Sequence, residues 1–133
     1  MTSVNSVIKN LIVGYPIIVL YKMTPYHIKE KSWIAKLAAI KLSAGSVAIV
    51  IGKTIHLHKT NREDFLANER WLKHELCHLK QFKEHGFFPF IYKYLLESIK
   101  RGYRNNKYEI EAREAEKDLS HEEAKPQSLT KNN

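Results

Sequence analysis

Residues 73–81 read Lys73-His74-Glu75-Leu76-Cys77-His78-Leu79-Lys80-Gln81, and the rest of the chain is best read outward from them. His74 and His78 are four positions apart, which in a helix puts both imidazoles on one face. Glu75 lies about 100° further round, as 3.6 residues per turn requires. Leu72, Leu76 and Leu79 fall on the other side, where they should meet a core. The helix therefore has an apolar side and a side of titratable groups, and no residue is claimed by both.

The flanking sequence supplies ends for this helix. Thr60-Asn61-Arg62-Glu63 fits a capping box, in which the residue at N3 returns a hydrogen bond to the N-cap. One helix is predicted from Thr60 to His85, stopped by Gly86. Phe87–Arg101 reads as a second, with Phe90, Ile91, Tyr94, Leu95 and Ile99 inward and Gly102 as its end. A last helix starts at Asn105 or Asn106 and fades by His121.

Upstream, Val47-Ala48-Ile49-Val50-Ile51 and Thr54-Ile55-His56-Leu57-His58 flank Gly52-Lys53, a pattern that predicts a two-residue hairpin. This is the one convincing β signal. Lys31–Leu42 places Trp33, Ile34, Leu37, Ala38 and Leu42 at helical spacing, and Ser6–Leu20 reads as an apolar helix or two segments broken at Gly14 and Pro16. The expected class is α+β, mostly helical, with a small sheet or hairpin beside the motif helix. One domain is expected over residues 1–121, followed by a polar tail, 122–133.

Composition narrows the function. A 44% hydrophobic and 27% charged content is that of a folded globular chain. The net charge of +8 invites anionic partners, but the 22 basic residues are scattered and form no stripe interleaved with aromatics, so nucleic acid is not expected. Residues 10–21 are uncharged yet too few for a bilayer span of roughly 20 residues. Peripheral membrane contact through that N-terminal segment stays open. With one cysteine, Cys77, no internal disulfide can form, and no cleavage-site pattern follows the apolar run; both favour a cytoplasmic location.

The chemistry lies in His74-Glu75-x-x-His78. Two imidazoles one helical turn apart can reach a single cation, and zinc is the ion their type favours. Glu75 flanks the pair, where a base must stand to take a proton from an activated water. A third ligand must come from elsewhere. Tyr108-Glu109-Ile110-Glu111-Ala112-Arg113-Glu114-Ala115-Glu116 offers carboxylates on a predicted helix, with Glu109, Ala112, Arg113 and Glu116 on one face and Glu111 nearly opposite. Glu109 also fits a capping box behind Asn106. Cys77 reads as a small buried hydrophobe before a soft ligand or redox handle. His56 and His58 share a strand face, which solvent explains better than a second metal.

His74-Glu75-x-x-His78 followed by Glu109-x-Glu111-Ala112 resembles the gluzincin branch of the zincin metallopeptidases, and short bacterial minigluzincin-like proteins in particular. The run from His74 through His78 to Gln81 is also similar to metallopeptidase-like domains of contractile injection systems. The resemblance covers roughly Val47 to Glu116. It implies that His74, His78 and Glu109 hold Zn²⁺, that Glu75 is the general base, and that a peptide or protein is the substrate. Relatives carry an aspartate four residues after the ligand glutamate to orient a histidine. Here that position is Arg113, so Gln81, Glu116 or a backbone carbonyl must do this instead. The resemblance further implies an edge strand that pairs with an extended peptide, for which Val47, Ala48, Ile49, Val50 and Ile51 are the candidates. Tyr103, Arg104 and Tyr108 lie near enough in sequence to Glu109 to serve an oxyanion. Two other readings compete with a peptidase: a non-catalytic zinc module that regulates or binds a partner, and a basic binding protein in which the motif is accidental.

Overall fold

A computed structural model describes residues 25–117. The apolar segment 6–20, the tail 122–133 and the end of the last predicted helix lie outside the described residues. The described part is α+β and mostly helical. Its elements in order are β1 (His27–Lys29), α1 (Trp33–Leu42), β2 (Val47–Ile51), β3 (Thr54–His58), α2 (Arg62–Ala67), α3 (Glu69–His85), α4 (Phe87–Arg101), a 3₁₀ turn (Tyr103–Asn105) and α5 (Lys107–Ala115).

The hairpin closes through Gly52-Lys53, with Ile51 opposite Thr54 and Val47 opposite His58. It is joined by a strand the sequence reading did not include: β1 pairs parallel to β3, with Ile28 opposite Ile55. The order is β1-β3-β2, so β2 is an edge strand, with no further strand beside it among the described residues. α1 packs on β2 and β3, α3 runs beside β2, and α5 lies against α3.

The predicted 60–85 helix is two helices. Asn61, not Thr60, is the first N-cap, accepting from the Asp64 amide at 2.8 Å. At Asn68 the chain breaks, and its side chain accepts from the Trp71 amide at 3.1 Å, starting α3 afresh. Asparagine does this because its short amide competes with the helical ladder for backbone donors. α3 is then central rather than two-sided: Lys73, Glu75, Cys77, His78 and Gln81 are buried along with Leu76 and Leu79. Cys77 is 2% exposed, in keeping with a small core residue.

Two apolar stripes are partly exposed, and on α4 Leu95 and Ile99 depart from the inward side expected of them. On α1 the inward residues are Ala35 and Ala39, whereas Trp33 and Leu37 are 66% and 57% exposed. On α4 Phe90 is buried, but Leu95 and Ile99 are 54% and 83% exposed. Small residues let α1 approach the sheet closely, which turns its bulky stripe away. His56, expected toward solvent, is buried and shares a hydrogen bond with Ser32 Oγ at 2.8 Å, tying β3 to the start of α1. Burial, then the nearby Lys29, lowers its pKa.

The return from α4 to α5 fixes the site. Gly86 and Gly102 bound α4 with φ of 83° and 75°, values a Cβ disfavours. Beyond Gly102, fully buried Asn106 donates to the Tyr94 carbonyl at 3.0 Å and to Ser98 Oγ at 2.8 Å, and accepts from the Tyr108 amide at 2.9 Å. The cap partner of Asn106 is thus Tyr108, and Glu109 is left free to face α3. Asn106→Ala deletes a cap and two buried bonds, and should destabilise the fold by about 2–3 kcal/mol in urea denaturation. A loss under about 0.5 kcal/mol would show that this turn holds itself.

Candidate metal centre

His74 and His78 on α3 meet Glu109 on α5. Their Nε2 atoms are 3.2 Å apart, His74 Nε2 is 3.3 Å from Glu109 Oε2, and His78 Nε2 is 3.4 Å from Glu109 Oε1. Among the described residues these three form the group able to hold a metal ion. The spacing fits one. Ligands about 2.0–2.1 Å from a tetrahedral cation stand about 3.3–3.4 Å from one another. The donors also fit, since two imidazoles and one carboxylate leave a fourth position open, as catalytic zinc requires.

A further sign lies in the carboxylate itself. Glu109 is 2% exposed, and its Oε2 is buried with no hydrogen-bond partner, although His74 Nε2 is within ion-pair range. His74 Nε2 stands near enough to Oε2 to attract it but outside hydrogen-bond geometry. A buried carboxylate oxygen without a donor is costly, of the order of 1–3 kcal/mol or more, and a cation between these three groups removes that cost.

Each imidazole is held by its other nitrogen. Glu116 Oε1 lies 2.7 Å from His74 Nδ1, and its second oxygen accepts from Arg70 Nε at 2.5 Å. Gln81 Oε1 lies 2.8 Å from His78 Nδ1, so it accepts, while Gln81 Nε2 donates to the Tyr108 carbonyl at 3.1 Å and to Glu111 at 3.0 Å. With Nδ1 engaged in this way, Nε2 is the nitrogen that each ring turns to the shared point. Arg113 takes no part; it donates to the Arg104 carbonyl. The histidine-orienting carboxylate is instead Glu116, one helical turn after Ala112. Glu111 is exposed and near Lys80, away from the triad. Tyr108 is a core residue whose ring packs edge-on against Phe90 at 5.1 Å.

Burial and the neighbouring charges pull these groups in opposite directions. Burial alone would lower the His74 pKa, but the carboxylates of Glu109, Glu75 and Glu116 around it overcome this and raise it to about 9. His78 is raised for like reasons, against its burial. Glu109, despite burial, is held well below the carboxylate range by both histidines. Burial raises Glu75 to about 7 against the pull of His78 and His74.

A cavity of about 260 Å³ opens beside the triad. All five residues of β2 border it, with Leu42, Phe82, Phe90, Ile91 and Leu95 as other apolar walls. Tyr103, 44% exposed, also lines it. Tyr94, which sequence reasoning assigned to packing, donates to Glu109 Oε1 at 2.5 Å. Its place one turn after Phe90 gave no hint of that. No family model, curated protein or solved structure matches the chain.

Proposed function

We propose that the chain is a zinc-dependent peptidase of the gluzincin type. What carries this reading is the meeting of His74, His78 and Glu109 at edge lengths of 3.2–3.4 Å, with buried Glu75 beside them at the floor of a cleft. A bound divalent ion would supply Lewis acidity there, polarising a carbonyl and lowering the pKa of a water.

The protein's own groups do the rest. Glu75 accepts the proton of the attacking water and passes it to the leaving amine. The outer edge of β2, unpaired among the described residues, hydrogen-bonds an extended peptide along the cleft. The Tyr103 hydroxyl donates to the oxyanion that develops at the carbonyl. Leu42, Phe82, Phe90, Ile91 and Leu95 favour a bulky apolar side chain next to the scissile bond, since among the described residues no lysine or arginine lines the cleft. That selectivity holds despite the overall charge of +8.

The direct test incubates zinc-loaded protein with a broad peptide library and reads cleavage by mass spectrometry. Cleavage beside apolar residues, abolished by chelation and restored by zinc, is the expected result. Tight zinc binding with no cleavage of any peptide would replace the peptidase by a non-catalytic zinc module.

A further inference from the structure

Glu109 has two oxygens, and the fold treats them differently. Oε1 accepts from the Tyr94 hydroxyl at 2.5 Å. Oε2 is buried without a hydrogen-bond partner and faces His74 Nε2 at 3.3 Å. We infer that Tyr94 is a positioning residue that commits Glu109 to ligation through Oε2 alone, and so keeps one coordination position open. This inference rests on the metal-centre reading above.

The physical argument has two parts. A hydrogen bond to a carboxylate oxygen draws charge toward it, so that its remaining lone pair is the weaker donor to a cation. Oε2 carries no hydrogen bond and so keeps its full donor strength. Both oxygens face an imidazole, Oε1 at 3.4 Å from His78 Nε2 and Oε2 at 3.3 Å from His74 Nε2, so without the Tyr94 hydroxyl a cation would be drawn between them. Glu109 would then fill two positions, and with two imidazoles a tetrahedral ion would have no place left for water or substrate.

Tyr94 is itself tied down, as an orienting group must be. Its carbonyl accepts from Asn106 Nδ2 at 3.0 Å, which links it to the start of α5, the helix that carries Glu109. Its ring lies edge-on to His78 at 6.3 Å and to Phe90 at 6.0 Å. Helices α4 and α5 are therefore tied together where hydroxyl and carboxylate meet. Tyr103 differs, being 44% exposed on the cleft wall. Tyr103 also stands close enough to Glu109 for that carboxylate, after burial, to raise its pKa, so it borders both ligand and cleft, whereas the short bond from Tyr94 is what fixes Oε1.

Tyr94→Phe tests this, since phenylalanine keeps the ring packing and removes only the hydroxyl. Full-length wild type and variant are loaded with cobalt(II) and with zinc. The visible cobalt spectrum and zinc X-ray absorption report coordination number, and competition with a chromophoric chelator reports affinity. Wild type should give the intense visible bands of a four-coordinate cobalt site. The variant should show weaker bands, a gained oxygen ligand, and zinc affinity changed by about tenfold or more. A variant that binds with the wild-type spectrum, ligand count and affinity overturns the role of Tyr94 and leaves the metal centre standing. A wild type that binds neither ion removes the metal centre, and this inference with it.

Discussion

Glu75→Gln is expected to lower kcat by about 100- to 10,000-fold and to leave zinc stoichiometry unchanged. Glutamine has the shape of glutamate but cannot accept a proton. Glu75 contributes no ligand atom to the triad of His74, His78 and Glu109, so the metal should stay. Its carboxyl is 4% exposed, and burial lifts its pKa to about 7 in the metal-free protein. A nearby divalent cation favours the charged form and brings that value down. Glu75 is then ionised at neutral pH and able to accept a proton. The acid limb of the rate profile should accordingly lie on the acid side of 7 in wild type and vanish from the residual activity of the variant. Steady-state assays of the two proteins with matched zinc content check this. Equal rates would mean that Glu75 moves no proton in the reaction.

The parts of this site that sequence could reveal are those written in local spacing. His74 and His78 share a face because helices repeat every 3.6 residues, whatever surrounds them. The turn at Gly52-Lys53 and the helix stops at Gly86 and Gly102 are equally local. The pairings across the fold are not. Glu116 reaches His74 over 42 residues, and only the angle between α3 and α5 decides that Glu116, rather than Arg113, fills that place. Tyr94 meets Glu109 because Asn106 folds α5 back beneath α4. Periodicity also finds an apolar stripe without saying which side the core takes. On α4 it merged Phe90 and Tyr94, which face α5, with Leu95 and Ile99, which are mostly exposed. The three residues of β1 are too few for any period to register. His56 alternated correctly with Leu57, yet the cover on its face comes from Ser32, 24 positions away.

Zinc should raise the melting temperature more at pH 8.5 than at pH 6, and the sign follows from the triad. In the metal-free protein the His74 pKa is raised from 6.5 to about 9. A raised pKa means that the folded state holds its proton more tightly than the unfolded chain. That stabilisation is fully present below about 6.5 and is lost as pH climbs through 9. Glu75, raised to about 7, acts in the same direction over its own lower range. Glu109, held far below the carboxylate range, is ionised throughout and contributes no slope here. The metal-free protein should thus weaken as pH rises from 6 to 9. Zinc must displace the His74 proton to bind, so its apparent affinity should climb about tenfold per pH unit for each proton released. The two trends diverge, and the gap between loaded and metal-free melting curves should widen with pH. Calorimetric titration in buffers of different ionisation enthalpy should register about one to two protons released per zinc at pH 7. In His74→Ala that release should shrink and zinc affinity should fall by about 1,000-fold or more, an upper-end loss for a missing ligand compared with about 10- to 100-fold for an outer-shell partner. Zinc binding that is independent of pH between 6 and 9, or undiminished in His74→Ala, would place the ion elsewhere on the molecule.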